Sequence, residues 1–418
     1  MDVVQQSLPQ SPLNTAPPFS AARTIRLTGL TLALGYLIVL GGTYLKGDFL
    51  IDRQRRPIAN DFVNVVAAGQ LVRDGAAASA YDWPLHKQAE VRAIGHDFED
   101  YYGWHYPPTF LFVAAALSTL PYLTAALTWL VATLAAYVAA ICGILGRRTG
   151  LCVALGFPAA LWNVTAGQNG FLTAALIGGT LGLMERRPAL AGICLGLLTY
   201  KPQFGLLFPL VLIADRRWLT MSVAAAVAIG LAALSWLAFG SASWQAFIHW
   251  MPITSRVVLG EGHADFGRLQ SLFGLVRAHG GGEPLAWAMQ VAGSLAVAVW
   301  TVWLWRSHAP FDLKAAALVA GTLVATPYVY MYDLVALAVA VAFLIRFALE
   351  RGFLTSEAVG LGGAGALILI FPYVKTQVGL AAVLIVMALV VRRTLARTVP
   401  PQRPGSAGST QDRFLAAR

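Results

Sequence analysis

Residues 122–145, YLTAALTWLVATLAAYVAAICGIL, form a long apolar run that contains no charged side chain. A helix needs about 20 such residues to cross the hydrocarbon core of a bilayer, so this run predicts a transmembrane helix. Comparable apolar runs lie on both sides of it, at residues 27–45, 151–162, 171–184, 189–199, 204–214, 219–239, 284–305, 313–326, 334–347, 359–371 and 378–391. Several are short, so the runs together predict an all-α, polytopic transmembrane bundle of about 10–13 spans.

The composition of the chain agrees with a membrane protein. Of the 418 residues, 57% are hydrophobic and 12% are charged, whereas a soluble chain carries about a quarter charged residues. The net charge of +10 comes largely from arginines between apolar runs, among them Arg147-Arg148, Arg186-Arg187, Arg216-Arg217 and Arg392-Arg393. This pattern is typical of cytoplasmic loops, so we expect contacts with membrane lipids and no nucleic-acid partner.

The basic residues also predict an orientation in the cell (inner) membrane. Arg23 and Arg26 precede the first run, which places both termini in the cytoplasm and residues 46–108 and 240–283 in two large outer loops. Residues 1–22 and 398–418 are predicted to be disordered cytoplasmic tails around one transmembrane domain at 23–397. The apolar stretch 109–120, bounded by prolines, is too short to cross and is predicted to be interfacial or re-entrant.

Asp61 lies in front of the apolar segment FVNVVAAGQLV, at the predicted edge of the membrane. A carboxylate there loses hydration, which raises its pKa and suits it to act as a general base. The alternative is a helix N-cap, in which Asn60 or Asp61 opens an amphipathic helix. Both interpretations stay open, because a cap also fixes the direction of the carboxylate.

Two other charged residues follow breaks in apolar runs. Lys201 lies in LLTYKPQFG, where Pro202 interrupts the run, and it could bind an anionic phosphate or simply extend toward the interface. Asp333 follows the tyrosines of TPYVYMYDL, Tyr330 among them, and could act as a second catalytic acid or as an N-cap. Both residues are predicted on the same outer side as Asp61.

Two polar turns supply further candidates. Arg268 and Gln270, in FGRLQSLFGLVR, could hold a phosphate or sugar hydroxyls, or lie on a solvated amphipathic helix. Asn163, Gln168 and Asn169, in WNVTAGQNG, could bond sugar hydroxyls or merely close the turn between two spans.

The sequence has seven histidines and no HExxH or HxxxH spacing. His86 and the other loop histidines are interpreted as surface or aromatic-belt residues, with His105 in GWHYPP the exception. No metal ligands are predicted, although a divalent cation stays open as a cofactor.

These motifs, in this order and spacing, resemble glycosyltransferase family 87. The resemblance rests on DF, AAGQLVRDGAAASAYD, WHYPPTFLF, NVTAGQNGFLTAAL, RRPALAGICLGLLTYKPQFGLLFPLVLIADRRW, GRLQSLFGLVR and TPYVYMYDL, over residues 55–345. It implies a C-type glycosyltransferase (GT-C) fold and transfer of a sugar, mannose or another hexose or pentose, from a polyprenyl-phosphate donor to a lipid or glycan acceptor on the outer face.

The resemblance also implies roles for individual residues. Asp61 matches the family's catalytic acid, and Lys201, Pro202 and Gln203 match its Lys-Pro-Gln stretch. Asp333 stands where relatives are expected to carry histidine, so either acid could be the base of an inverting single displacement. Lys201 and Arg268 would bind the donor phosphate. Substrate-binding residues would be His105, Tyr106, Asn163, Gln168, Asn169, Gln203, Gln270 and Tyr330.

Two rival classes fit the composition. A multi-pass transporter or lipid-linked sugar flippase would also have broken helices and charges near the membrane. The second rival is a structural membrane subunit without activity. The polar residues, however, gather on one predicted face, and no acid lies in the middle of a predicted span. An enzyme working at the outer face is therefore the preferred interpretation.

Overall fold

The computed structural model describes residues 21–46, 61–262 and 265–396, and within these ranges the chain is helical with no β-strand. The helices are α1 (Ala21–Leu45), α2 (Phe62–Arg73), α3 (Trp83–Ile94), α4 (Leu111–Leu117), α5 (Tyr122–Leu145), α6 (Arg147–Gly156), α7 (Pro158–Ala166), α8 (Gly170–Leu183), α9 (Pro188–Leu197), α10 (Phe208–Ala214), α11 (Trp218–Ser255), α12 (Leu272–Ala278), α13 (Glu283–Arg306), α14 (Phe311–Ala325), α15 (Leu337–Arg351), α16 (Thr355–Val374) and α17 (Val378–Ala396). Asn60 and the predicted tails fall outside the described residues, except for residues 21 and 22, which form the start of α1.

Seven helices among the described residues are long and apolar enough to cross a membrane, or eight if α6 and α7, bent by 58°, form one broken span. This confirms an all-α polytopic bundle. Fewer helices meet the length criterion than the 10–13 spans predicted, because several predicted spans are helices that are too short. At about 1.5 Å per residue, helices such as α8 and α9 reach across only part of a hydrocarbon core of about 30 Å.

The centre of the bundle is formed by α14 and the 3₁₀ turn Met331–Ala336 that leads into α15. Nearly every residue of α14 and α15 is buried, and α8, α5 and α17 pack around them. Such uniform burial explains why their sequences are apolar on all sides. The helices that surround this centre, including α1 and α13, expose many large apolar side chains, which suits a lipid environment.

The predicted second outer loop begins as a helix. α11 continues beyond residue 239 through a break at Gly240, whose φ of 76° favours glycine, and ends in a π-helical turn at Arg256–Gly260. With the π-helical turn, the whole segment has 43 residues, about twice the number that one straight span needs.

The predicted first outer loop is also mostly helical where it is described. It contains α2, a 3₁₀ turn at Ala77–Ala80 and α3, and α2 packs against α3 and α4. Stretch 109–120 forms one short helix, Pro108–Leu117, that starts after Pro107 and ends before Pro121. Its length of about 15 Å agrees with the prediction that it does not cross alone.

Chain breaks bring several polar segments together at one end of the bundle. The turn 163–170 between α7 and α8 packs against the 3₁₀ turn Met331–Ala336, and α8 contacts the 3₁₀ turn Leu198–Tyr200 that ends α9. We call the region formed by these three segments and the start of α2 the site end.

Candidate active site

Asp61 lies at the N-terminus of α2, and its side chain makes no capping bond to that helix. Its backbone N–H instead donates to the carbonyl of Ala166 at 3.2 Å, and its Oδ2 accepts a hydrogen bond from Nε2 of Gln168 at 3.1 Å. Asp61 thus occupies the cap position, as one of the two interpretations expected, but its half-buried carboxylate faces the turn between α7 and α8.

The turn 163–170 is closed by Asn163. Its Oδ1 accepts the backbone N–H of Gly170 at 2.7 Å, and the residue is completely buried. A Cβ on Gly170 would lie 2.2 Å from the carbonyl oxygen of Tyr332, so the glycine permits this turn to touch the segment that carries Asp333. Asn163 therefore closes the turn, and its predicted contact with substrate stays a prediction.

Gln168, Asn169 and Tyr106 form one hydrogen-bonded network beside Asp61. Asn169 Nδ2 donates to the Tyr106 hydroxyl at 2.7 Å, and that hydroxyl donates to Gln168 Oε1 at 3.3 Å. The same Oε1 accepts the backbone N–H of Asn169 at 3.1 Å. All three side chains are buried. Their predicted role as direct substrate contacts stays a prediction.

Lys201 and Asp333 form a buried ion pair. Lys201 Nζ lies 2.7 Å from Asp333 Oδ1, and the residues are 6% and 2% exposed. The second oxygen of Asp333 accepts the backbone N–H of Tyr330 at 3.1 Å, which supports the start of the 3₁₀ turn. Tyr330 occupies the N-cap position of this turn, so Asp333 is not the N-cap itself but bonds back to it from the third residue of the turn.

Aromatic rings surround the ammonium group of Lys201. The ammonium lies 5.4 Å from the ring centroid of Tyr332 and 5.6 Å from that of Phe204, distances at which a cation is attracted to a ring face. The half-buried ring of Tyr330 stacks on Tyr332 with centroids 5.5 Å apart. Gln203, on the next 3₁₀ turn, is half-buried.

Arg268 and Gln270 lie on the segment that follows α11. The Arg268 side chain is exposed, whereas Gln270 is buried and uses its amide within the protein. Its Nε2 donates to the carbonyl of Gly267, and its Oε1 accepts the backbone N–H of Gly379 at 2.8 Å. Gln270 thus fastens the Arg268 segment to the start of α17, and this geometry gives no support to its predicted contact with sugar.

The electrostatics link the charged residues of the site end. Burial raises the pKa of Asp61 to about 6, while the Gln168 hydrogen bond and the positive charges of Arg268 and Lys201 oppose the rise. The negative charge of Asp333 adds to it. Asp61, Lys201, Asp333 and Arg268 therefore lie close enough to influence one another. A carboxyl with this pKa is ionised near neutral pH yet remains basic enough to accept a proton.

His105 contacts α11. Its exposed ring has Nδ1 3.4 Å from Thr254 Oγ1, and its predicted contact with substrate stays a prediction. Among the residues that the structure describes, there is no group of three or more His, Cys, Asp or Glu side chains that could hold a metal ion.

The interpretation of His86 as a surface residue is wrong. His86 and Glu90 are completely buried on one face of α3, with His86 Nε2 3.7 Å from Glu90 Oε1. Burial lowers the pKa of His86 to about 3 and raises that of Glu90 to about 8. The i,i+4 spacing of the two residues was a signal in the sequence that they share a helix face.

Comparison with protein families decides the class of this protein. The model of glycosyltransferase family 87 matches residues 104–327, more than half of the chain. This chain belongs to glycosyltransferase family 87. It is an integral-membrane glycosyltransferase, as the motifs predicted, and the transporter and structural-subunit alternatives are set aside. Comparisons with curated proteins and with solved structures give no significant match.

The residues matched by the family model include most of the candidate site. Lys201, Arg268, Gln168 and Tyr106 lie inside the matched range, and Asp61 and Asp333 lie outside it. The roles of the two acids in this family 87 protein therefore rest on the geometry of the site end and on the chemistry that this geometry allows.

Proposed function

We propose that this family 87 enzyme transfers a sugar from a polyprenyl-phosphate donor to a hydroxyl of a lipid or glycan acceptor, at the outer face of the cell membrane. The sugar is mannose or another hexose or pentose. Residues 23–397 form the catalytic domain, and both termini lie in the cytoplasm. The observation that carries the proposal is that Lys201 pairs with Asp333, and that the charges of both residues and of Arg268 act on Asp61.

The donor phosphate suits the two cations of this cluster. Lys201 is buried at the break between two 3₁₀ turns, and Arg268 is exposed on the segment that follows α11. An arginine fork and a lysine ammonium both bind phosphate oxygens through charge-assisted hydrogen bonds. The apolar helices around the site end would carry the polyprenyl tail, while the aromatic rings of Tyr330 and Tyr332 would face the polar part of the donor.

Asp61 is the better general base of the two acids. Both oxygens of Asp333 have partners, Lys201 Nζ on one and the Tyr330 N–H on the other. That arrangement holds Asp333 as a counter-ion to Lys201. Asp61 instead has a pKa raised to about 6 by burial, near the pH at which a base works best.

The proposed reaction is a single displacement with inversion. The acceptor oxygen attacks the anomeric carbon as the bond from that carbon to the phosphate oxygen breaks, and the polyprenyl phosphate leaves with the bonding electron pair. The acceptor proton passes to Asp61. Lys201 and Arg268 stabilise the negative charge on the leaving phosphate, so no nucleotide is consumed.

The test uses the purified full-length protein in lipid nanodiscs with a panel of radiolabelled polyprenyl-phosphate sugars and a lipid extract as acceptor. We expect the wild-type protein to transfer label from at least one donor, and Asp61→Asn to lower the rate by about 10²–10⁴-fold, the usual contribution of a general base.

Asp74→Asn is the matched control, since Asp74 is an exposed acid at the opposite end of the same helix, α2. It should transfer sugar at the wild-type rate. Absence of transfer from every polyprenyl-phosphate donor, with transfer from a nucleotide sugar, would overturn the proposed donor class. Equal rates for Asp61→Asn and the wild type would overturn the role of Asp61.

A further inference from the structure

The backbone N–H of Asn169 fixes the orientation of the Gln168 side-chain amide. Its Oε1 faces the backbone N–H of Asn169 at 3.1 Å, and a backbone N–H can only donate. The oxygen of the amide must therefore point to that N–H, and the NH₂ group must point the other way. On that other side, 3.1 Å from Nε2, lies Oδ2 of Asp61.

This geometry assigns the roles across the contact. Because an NH₂ group has no acceptor, Asp61 Oδ2 must accept the hydrogen bond. The bond is stronger when the carboxyl is ionised, so Gln168 favours the charged form of Asp61. We infer that Gln168 is a positioning residue that aims the Asp61 carboxylate and keeps it ready to accept a proton.

Neighbouring bonds hold Gln168 in this role. The Tyr106 hydroxyl donates to the same Oε1 at 3.3 Å and accepts from Asn169 Nδ2 at 2.7 Å, so donation runs from Asn169 through Tyr106 and Gln168 to Asp61. The Asp61 backbone N–H is bonded to Ala166 in the same turn. The base and its donor are thus attached to one short segment, although 107 positions separate them in the chain.

Other charges also act on Asp61, and the test must separate them from Gln168. The titratable groups that interact electrostatically with Asp61 include Arg268, Lys201, Asp333, Glu90, Tyr106, Tyr122, Tyr330 and Tyr332. Variants of Gln168 that keep its volume leave all of these groups in place. A change in the titration of Asp61 in such variants then reports on the Gln168 bond.

The experiment measures kcat and the donor KM of the full-length protein in nanodiscs between pH 4.5 and 8.5, and it rests on the proposed transfer reaction. Gln168→Met removes the amide and keeps the length of the side chain. We expect the acid inflection of kcat to move up by about one pH unit, the size of one lost hydrogen bond to a charged group. The donor KM should stay near its wild-type value.

Gln168→Glu provides a second variant with a different prediction. A glutamate keeps an oxygen for the Asn169 N–H and places another oxygen against Asp61 Oδ2. Two carboxylates at this distance hold one proton between them, so the inflection should move further up than in Gln168→Met. A role limited to folding would instead give similar inflections in both variants and in the wild type.

Gln290→Met is the matched control. Gln290 is a buried glutamine on α13 whose Oε1 also accepts a backbone N–H, that of Phe273 at 3.2 Å, and whose Nε2 donates to the Val324 carbonyl at 2.9 Å. Its loss should lower the melting temperature as much as the loss of Gln168. The acid inflection of kcat should not move.

The outcomes separate this inference from the proposed function. An unshifted inflection in both Gln168 variants, with wild-type transfer still dependent on Asp61, would overturn the positioning role alone. A wild type that transfers no sugar from any polyprenyl-phosphate donor would overturn the proposed function. A raised donor KM with an unchanged inflection would make Gln168 a substrate contact and would contradict the inference.

Discussion

The ammonium group of Lys201 lies 2.7 Å from a carboxylate oxygen of Asp333, in a pair that is buried and joins residues 132 positions apart. The pair places a positive charge at the site end without leaving either ion alone in a low-dielectric environment. Such pairs contribute little net stability, but the loss of one partner is costly because the other charge is then buried without compensation.

Breaking this pair gives the first prediction. Lys201→Met should destabilise the protein by about 3–5 kcal/mol and abolish donor binding. The double variant Lys201→Met/Asp333→Leu should regain most of the stability, since no buried charge remains, and should still not bind the donor. Thermal unfolding in detergent and donor binding by equilibrium dialysis measure the two effects. A double variant that binds donor normally would contradict the role of Lys201.

Gly170 gives the second prediction. A methyl group at this position would meet the Tyr332 carbonyl at 2.2 Å, so Gly170→Ala should push the turn 163–170 away from the segment of Asp333. We expect a lower melting temperature and a large loss of transfer, because Gln168 and Asp61 move with the turn. Both quantities are measured on the same preparation.

Gly143→Ala on α5 is the control for Gly170. The added methyl would have no neighbour within 4 Å, and alanine favours a helix by about 0.5–1 kcal/mol. This variant should be as stable as the wild type or slightly more so, with normal activity. Equal behaviour of the two alanine variants would show that the close approach of Gly170 to Tyr332 is unimportant.

Glu90 gives a prediction on pH and stability. Its pKa is raised from 4.5 to about 8 by burial, although Lys87 and the Tyr102 N–H favour its ionised form. Between these values the unfolded chain releases a proton that the folded protein keeps, so stability falls as pH rises and levels off above about 8. Above about pH 7 the titrations of folded Asp61, with a pKa of about 6, and of His86 in the unfolded chain, with a pKa of 6.5, are largely complete, so Glu90 dominates there.

Glu90→Gln should remove that fall. The melting temperature of the wild type should drop between pH 7 and 8.5, and that of Glu90→Gln should stay nearly constant over the same window. Exposed Glu99→Gln, in the loop after α3, is the control and should follow the wild type. Parallel curves for the wild type and Glu90→Gln would show that Glu90 is already ionised in the folded protein.

The sequence predicted what depends on local pattern. Apolar runs of about 20 residues identified helices such as α5 and α13 correctly, because crossing a bilayer imposes that length. The sequence also identified Asp61, Lys201 and Asp333 as candidate site residues, because each is a charged residue beside an apolar segment. Short runs were less informative, since a buried helix such as α14 is as apolar as a span but only 15 residues long.

The contacts between distant residues could not be predicted in the same way. The approach of Gln168 to Asp61 depends on how α2 docks against the α7–α8 turn, and that docking requires tertiary packing across more than one hundred residues. Gln270 looked like a sugar-binding side chain, yet its amide holds main-chain groups of its own loop and of α17. Sequence composition does not show which hydrogen-bond partner a buried side-chain amide will have.

The most direct test of the central claim is the pH dependence of kcat/KM for sugar transfer by the wild-type protein between pH 4.5 and 8.5. We predict that the rate rises with pH through a single inflection near 6, the pKa of the half-buried Asp61 carboxyl, and then reaches a plateau. The residual rate of Asp61→Asn should lack this inflection. A wild-type rate that is independent of pH across the range, or an inflection that persists in Asp61→Asn, would contradict the account.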